Sequence, residues 1–356
     1  MSAILKDLRL GSNSYIGTEQ KCLVIAEIGQ NHQGDIQIAK QLIIEAKNAG
    51  ADCVKFQKTS FNDKFNKSAL ERVYDGPNSW GKTYGEHKEY LEFSKDQFLE
   101  LQEFALNNEI IFSSSAMDMV SVDFLFDLGV PFLKIGSGDS NNLPMVEYAA
   151  KKYIPLIIST GMIDKGDVIK IYNTVKKYHT KFCLLHCVSS YPTPYEDCNL
   201  NVIKDYQKSF PDIHIGYSGH ELGISTTISA VALGAKVLYR FIFIYVYQFL
   251  QPKVLSQLIF ELYHVLIKQI RIVESALGNP IKTIAPSEKN CMDKLQKSLT
   301  TAHALEKGHK LEEKDMKIKV TEPKGINGKY FHNTIGKTLN KDKSADDPIF
   351  ETDFIV

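Results

Sequence analysis

The sequence has no excess of charge of either sign. Its 356 residues contain 42 Lys+Arg and 42 Asp+Glu, so the formal net charge is zero. A protein whose main partner is nucleic acid usually has a strongly basic face, so this balance argues against that class. A local basic site for a small phosphorylated ligand is still compatible with it.

The six cysteines form neither a C-x-x-C motif nor a paired zinc-ligand spacing. Cys183 and Cys187 lie in the apolar run "FCLLHCVSSY", which predicts buried thiols rather than a metal or redox site. The N-terminal segment "MSAILKDLRLGSNSYIG" lacks the long apolar core of a signal peptide. We therefore expect a cytoplasmic protein.

Long apolar runs are also scarce, and the one conspicuous case is "VLYRFIFIYVYQFLQ" at 237–251, which contains a single charge, Arg240. It is too short for a membrane helix, which needs about 20 apolar residues. Its β-branched and aromatic residues favour a strand. We predict a final buried strand followed by an apolar loop.

Short strand-like apolar runs alternate with amphipathic helix-like segments along most of the chain. The runs are 22–29, 51–58, 110–115, 131–137, 155–160, 182–189, 214–219 and 236–241, and a further helix-like segment covers about 254–277. Eight such units predict an α/β protein with a (β/α)8 TIM barrel. An open doubly wound sheet is the alternative, but it usually has fewer strands, and no G-x-G-x-x-G follows the first run.

Two segments depart from this repeat. The connection between Lys58 and about Lys95 is polar and aromatic and holds the only Trp, so we predict a functional loop over the mouth of the barrel. Beyond 274–290, which contains two prolines and a glycine, short extended pieces alternate with turns. We predict a barrel domain at 1–280, a linker at 281–293 and a small domain at 294–356.

The polar residues of the strand-like runs gather at their C-terminal ends, where TIM barrels place their active sites. They are Glu27, Lys55, Gln57, Ser114, Ser115, Lys134, Ser137, Asp139, Ser159, Thr160, Ser189, Tyr191, Ser218 and His220. Two lysines with several hydroxyls and glycine-rich turns suit a phosphorylated, anionic substrate. Each hydroxyl alone is equally typical of a capping residue, and a lone His220 is more typical of a hydrogen-bonded loop histidine.

The motifs around these residues are similar to those of the sialic acid synthase family. They are "AEIGQNHQGD", "KFQK", "FLKIGSGDSNN", "ISTGM", "YPTPYED" and "GYSGHELG", while "SWGKTYGEHKEYLEFS" resembles the animal members. The resemblance covers about 20–238 and resumes from about 270 to the end. The last portion resembles the family's antifreeze-like (SAF) domain.

The resemblance implies a transferase of sialic acid biosynthesis. Such an enzyme condenses phosphoenolpyruvate with N-acetylmannosamine, or its 6-phosphate, and gives N-acetylneuraminate, or its 9-phosphate, plus phosphate. It also implies a divalent metal, Mg²⁺ or Mn²⁺, that polarises the sugar aldehyde. Members form domain-swapped homodimers in which each SAF domain caps the partner's barrel.

Site roles follow from the resemblance, motif by motif. The predicted catalytic residues are Glu27, Lys55, Lys134 and His220, with His220 also a metal ligand and Glu27 a proton-transfer or orienting group. The predicted substrate-binding residues are Gln57, Ser115, Ser137, Asp139, Ser159, Ser189, Tyr191, Ser218 and Lys324. Lys55 and Lys134 belong with the serines around phosphoenolpyruvate. Lys82 or Lys88 is expected to bind a phosphate on the sugar, and Lys324 to reach the partner's site.

The eighth strand departs from the family pattern. Where the family reads "VLERH", with the histidine as second metal ligand, this chain has Val237 to Phe241, and Phe241 cannot bind a metal. The segment at about 239–268 has nearly the expected length but a foreign, apolar composition. Three explanations stay open: a misread gene model, which agrees best with the preserved length; a catalytically impaired or regulatory homologue; and a working enzyme whose metal is held by His220, substrate and water. A phosphoenolpyruvate-dependent synthase acting on a different sugar is a further alternative.

Overall fold

The computed structural model describes residues 5–11, 14–76, 79–241 and 252–355, with side chains for all of these except 241 and 252–260. The chain divides into two compact units, Met1–Gly278 and Asn279–Val356. The first contains every predicted site residue except Lys324.

The first unit begins with a hairpin of β1 (Leu8–Leu10) and β2 (Ser14–Ile16) and continues as a closed barrel of eight parallel strands. The barrel strands are β3 (Leu23–Gly29), β4 (Cys53–Lys58), β5 (Ile111–Ala116), β6 (Leu133–Ile135), β7 (Leu156–Ser159), β8 (Phe182–Cys187), β9 (His214–Gly219) and β10 (Val237–Phe241). They pair in chain order, and β10 closes the barrel by pairing with both β9 and β3. The predicted TIM barrel is confirmed, and the open-sheet alternative is wrong.

Helices connect the strands, and local sequence signals set their ends. Helix α1 starts after Asp35, whose carboxylate accepts hydrogen bonds from two N–H groups of the first turn, and the chain turns back at Gly50 with a φ of +91°. Ser94 and Gln97 form a capping box at the start of α5. The helices of the unit are α1 (Ile36–Asn48), α2 (Phe61–Lys64), α3 (Lys67–Glu71), α4 (Tyr84–Leu91), α5 (Lys95–Asn107), α6 (Met119–Asp127), α7 (Leu143–Ala150), α8 (Lys165–Lys176), α9 (Asn201–Ser209), α10 (Ser225–Ala232) and α11 (Pro252–Leu277).

The barrel has two apolar layers because side chains alternate along each strand. One set packs outward against the helices, and the other fills the interior. The interior cluster includes Ile25, Cys53, Ile157, Leu185 and Val237. The hairpin adds Leu8, Leu10 and Ile16 to the same cluster. The interior is therefore packed up to the layer of side chains at the C-terminal strand ends.

The long connection between β4 and α5 was predicted as a loop, and the structure adds three short helices to that prediction. It contains α2, α3 and α4, and α4 begins with a capping box formed by Thr83 and Glu86. Lys64 and Lys88 of this segment contact Asp139 and Gln30, which follow β6 and β3. This connection, 59–94, is the insert of the barrel, and it lies at the C-terminal end of the barrel, as predicted.

The unusually apolar run starts as predicted, with a buried strand. Residues Val237–Phe241 form β10, while 242–251, where the apolar loop was predicted, lie outside the described residues. Helix α11 agrees with the helix predicted at about 254–277. In the described part of the chain, no helix combines the length and apolar content that crossing a membrane requires.

The second unit has a core of its own. It contains α12 (Lys289–Leu295), α13 (Phe331–Thr334) and an antiparallel pair, β11 (Ser298–Thr301) and β12 (Met316–Lys319). Its buried apolar residues are Leu299, Leu305, Leu311, Met316, Ile326, Leu339, Ile349 and Phe354. The buried Asp353 is paired with Lys341 and Lys343. Its identity as an SAF domain stays a prediction.

Candidate active site

A polar layer lies directly above the apolar interior of the barrel. Along several strands, the interior side chain two residues beyond an apolar one is polar: Ile25 precedes Glu27, Cys53 precedes Lys55, and Ile157 precedes Ser159. Ser115, Lys134 and Ser218 occupy the same ends of β5, β6 and β9, and all are buried. Because every second side chain of a strand points into the barrel, these polar side chains lie together at its C-terminal mouth.

Glu27 and Lys55 form an ion pair with no exposure to solvent. Lys55 Nζ lies 2.7 Å from Glu27 Oε2 and donates hydrogen bonds to Ser115 Oγ at 2.5 Å and to the Phe56 carbonyl at 2.9 Å. Gln57 Nε2 donates to Glu27 Oε1 at 3.1 Å. Burial lowers the pKa of Lys55, and the Glu27 carboxylate opposes that shift. The pair is fixed in place and presents one cation next to a hydroxyl.

Lys134 is the second buried cation of the layer. Its Nζ donates to Ser159 Oγ at 2.7 Å and to the Ile135 carbonyl at 2.8 Å, and the side chain is 1% exposed. Burial and the nearby Lys55 lower the pKa of Lys134 to about 7. Glu27 is already paired with Lys55, so the second ammonium, that of Lys134, favours an anionic ligand.

Tyr239 completes this layer, although none of the sequence motifs assigned it a role. Its ring lies 5.2 Å from Lys55 Nζ and 5.0 Å from Lys134 Nζ, and its phenol is hydrogen-bonded to Glu27. Burial, together with Glu27, raises the pKa of the phenol well above its ordinary value, so it stays protonated. The sequence contains the pattern that places it there. Side chains alternate along a strand, so Tyr239, two residues after the interior Val237, also points inward.

The hydroxyl groups of Ser137 and Ser189 both lie close to Gly161, in loops that follow the barrel strands. The Gly161 N–H donates to Ser137 Oγ at 3.0 Å, and Ser189 Oγ lies 3.7 Å from Cys187 Sγ. A cavity of 910 Å³ is lined by Ser189, Cys187 and residues of the loops that follow β7 and β8. The arrangement offers hydroxyl groups to an oxyanion, and the Gly161 N–H positions one of them.

Gly161→Ala should disrupt this group of hydroxyls. A Cβ at position 161 would lie 2.2 Å from Ser189 Oγ and 2.9 Å from Ser137 Oγ, so both serines would have to move. We expect kcat/KM for the anionic substrate to fall about 10- to 100-fold, because misplaced donors bind the transition state less well. Steady-state kinetics would measure the fall.

Gly138→Ala is the matched control, because a Cβ there meets no atom within 4 Å. It lies in the glycine-rich loop after β6 and should leave kcat/KM nearly unchanged. Equal activity of the two variants would show that the position of the serine hydroxyls does not matter.

His220 directly follows β9 and lies next to Tyr191, which belongs to the loop after the neighbouring strand β8. The Tyr191 hydroxyl is 3.4 Å from His220 Nε2, and the two rings are 4.4 Å apart. Burial lowers the pKa of His220 to about 4, so the imidazole is neutral near pH 7. A neutral imidazole is the form that binds a metal.

A divalent metal does not fit the donors around His220. Within the described residues, no group of three or more His, Cys, Asp or Glu is placed to hold a metal ion. The carboxylate beside His220, that of Glu221, is paired with Arg240, and the carboxylate of Glu27 is paired with Lys55. Phe241, which pairs in register with Glu27, is apolar. One imidazole gives weak and unselective binding, so metal binding stays a prediction from the resemblance.

The remaining predicted residues are dispersed. Asp139 is bonded to Lys64 at 2.8 Å, a contact that the sequence does not reveal because 75 residues separate the two. Lys88 is partly buried, whereas Lys82 is exposed. Lys324 belongs to the second unit, where its Nζ donates to the Gln296 carbonyl at 2.8 Å.

Comparisons with known proteins agree with this geometry. The model of the NeuB family matches residues 42–282. The N-acetylneuraminate-9-phosphate synthase of Homo sapiens is 46% identical to this chain over 352 residues, which cover 97% of this chain and 96% of that protein. The synthase of the same name from Drosophila melanogaster is 44% identical over 355 residues, covering 93% and 95%.

A solved structure shares the architecture. The crystal structure of N-acetylneuraminic acid (sialic acid) synthetase from Leptospira borgpetersenii serovar Hardjo-bovis in complex with citrate superposes with a TM-score of 0.65. It is 29% identical, and the match covers 81% of this chain and 96% of that one. The family match, the two relatives and this structure lead to one conclusion: the chain belongs to the NeuB family, the sialic acid synthases.

Proposed function

We propose that this protein condenses phosphoenolpyruvate with N-acetylmannosamine 6-phosphate to give N-acetylneuraminate 9-phosphate and phosphate. The observation that carries the proposal is the 46% identity to the human synthase over nearly the whole of both chains. The buried layer of two lysines, hydroxyls and one carboxylate supports it, since phosphoenolpyruvate is a compact anion.

The reaction divides into carbon–carbon bond formation and loss of phosphate. C3 of phosphoenolpyruvate attacks the aldehyde carbon of the sugar, whose oxygen takes up a proton. Water then adds at C2 and gives up a proton, and the C2–O bond to phosphate breaks to leave the ketone. Phosphate is thus released by C–O cleavage, and one water is consumed in each turnover.

The residues of the polar layer have distinct tasks in this scheme. Lys55, Lys134 and the serines hold the carboxylate and phosphate of phosphoenolpyruvate by charge-assisted hydrogen bonds. Glu27 faces the sugar and, held by Lys55, Gln57 and Tyr239, orients it or accepts a proton. The packed floor excludes water from below, which strengthens these electrostatic contacts. No step is assigned to a metal, because the described donors do not fit one.

A product assay tests the proposal directly. The purified full-length chain would be incubated with phosphoenolpyruvate and either N-acetylmannosamine or its 6-phosphate, with Mn²⁺, with Mg²⁺ and with a chelator. We expect mass spectrometry to show N-acetylneuraminate 9-phosphate, with phosphate released in equal amount.

The other outcomes of this product assay distinguish the alternative functions. No product from a folded protein would contradict the proposal and favour the impaired homologue, for which weak Mn²⁺ binding is the second readout. A product only with other aldoses would indicate a synthase for a different sugar. The domain-swapped homodimer, the SAF domain and the cytoplasmic location are proposals that rest on the resemblance and the sequence.

A further inference from the structure

Two cationic side chains of the insert, those of Arg72 and Lys88, contact the aromatic ring of Tyr84. The Arg72 guanidinium carbon lies 3.9 Å from the ring centroid, and Lys88 Nζ lies 5.5 Å from it. Arg72 also makes a hydrogen bond to the Tyr84 phenol. Contact with one aromatic ring helps to fix the positions of both cations and leaves their charges in place.

Lys64 is the third cation of this group. Burial and the positive charges of Lys64 and Arg72, opposed by Glu92, together lower the pKa of Lys88 to about 8. Like charges are therefore held close together in a partly dehydrated position. A bound dianion would relieve that repulsion.

The group is poor in carboxylates. Glu92 is bonded to Lys58 at 2.6 Å, and Asp139 to Lys64 at 2.8 Å. Lys88 instead donates to the neutral amide of Gln30 at 2.6 Å. In the contacts that the structure describes, neither Lys88 nor Arg72 is paired with a carboxylate.

The group also borders the polar layer of the barrel. Gln30, the partner of Lys88, directly follows β3, which carries Glu27. Asp139, the partner of Lys64, lies near enough to Lys134 to influence its pKa. A sugar whose aldehyde faces Glu27 would therefore extend its far end toward the insert.

We propose that Lys64, Arg72 and Lys88 form the subsite for the 6-phosphate of the sugar substrate. The inference rests on the proposed function and deepens it, because it assigns the preference for a phosphorylated sugar to the insert. It also decides between the two lysines suggested by the sequence in favour of Lys88, which is partly buried and contacts the Tyr84 ring, a contact that Arg72 shares although its side chain is exposed.

The test compares two sugars across single variants. Lys88→Gln and Arg72→Gln should each lower kcat/KM for N-acetylmannosamine 6-phosphate by about 10- to 100-fold, the effect of one lost charge-assisted hydrogen bond. The kcat/KM for N-acetylmannosamine and the KM for phosphoenolpyruvate should change little. Lys88→Arg, which keeps the charge, should recover part of the loss.

Matched controls come from the same insert. Lys82→Gln and Lys67→Gln, whose lysine is 86% exposed, should behave like the unsubstituted protein. Equal losses for both sugars in Lys88→Gln, or no loss for either, would overturn the subsite.

Calorimetric binding of N-acetylmannosamine 6-phosphate separates this inference from the proposed function. Binding that is lost in Lys88→Gln supports the subsite even if no condensation product forms. Product formation with an unchanged sugar preference in the variants refutes the subsite and keeps the function. No binding to the unsubstituted protein would also refute the subsite.

Discussion

Replacing Lys134 with methionine is expected to lower kcat/KM for phosphoenolpyruvate by about 100- to 1,000-fold, since it removes a preorganised charged donor from a buried site. The ammonium is positioned by Ser159 and the Ile135 carbonyl, and it has no neighbour that would substitute for it except Lys55, which is paired with Glu27. Methionine keeps the length and shape of the side chain, so the loss reports the charge.

The same variant should remain folded. Burial and Lys55 already disfavour the charged form of Lys134 in the folded chain, so removing that charge does not cost stability. Thermal unfolding would check this. Lys170→Met, at a lysine whose side chain is 64% exposed, is the control.

The pH profile gives a second readout. The pKa of Lys134 is about 7, below its ordinary value, so its charge is present at lower pH and is lost as the pH rises through 7. With saturating sugar, kcat/KM for phosphoenolpyruvate should therefore fall on the alkaline side, and the methionine variant should lack that fall. An unchanged profile in Lys134→Met would assign the titration to another group.

Replacing Arg240 with leucine is expected to destabilise the barrel by about 3–5 kcal/mol, the typical result of breaking a buried ion pair from one side. Arg240 Nη1 lies 2.6 Å from Glu221 Oε1, and Glu221 has no exposure to solvent. Nη2 donates to the carbonyls of Glu221 and Gly223 at 2.7 and 2.6 Å. The variant leaves the carboxylate buried without its cation and releases the loop that follows His220.

Chemical denaturation of Arg240→Leu would measure this loss. The double variant Arg240→Leu, Glu221→Leu should recover part of it, because no uncompensated charge remains buried. Lys165→Met is the control, since its pair with Asp205 is nearly half exposed and should contribute about 1 kcal/mol or less. A loss in Arg240→Leu no larger than in that control would mean that the pair does not hold strand β10 in place.

Much of the fold could be predicted from local patterns in the amino-acid sequence. Short apolar runs, separated by amphipathic helix-like segments, predicted all eight barrel strands to within about two residues at their ends. The alternation of side chains along each strand places Glu27, Lys55 and Lys134 in the interior, at the strand ends where a TIM barrel has its site. These features depend on neighbours close in sequence, which is why they could be predicted.

The sequence alone did not predict the partners of these residues. Lys64 meets Asp139 across 75 residues, and Tyr239 meets both Lys55 and Lys134 only because β10 closes against β3. Tyr239 was noted only as a departure from the family pattern, and its contact with both lysines appears only in the folded barrel. The helices of the insert were missed because they are short and their pattern is dominated by polar and aromatic residues.

The sequence by itself determined the barrel and the layer of polar side chains at its mouth, because alternation and strand order require no knowledge of long-range contacts. Only the tertiary structure decided which charges are paired there. Arg240, the single charge of an apolar run, became the buried partner of Glu221, and the insert brought three cations to the edge of the mouth. Closure of the barrel brings distant segments within hydrogen-bond reach, and burial then fixes how strongly their charges interact.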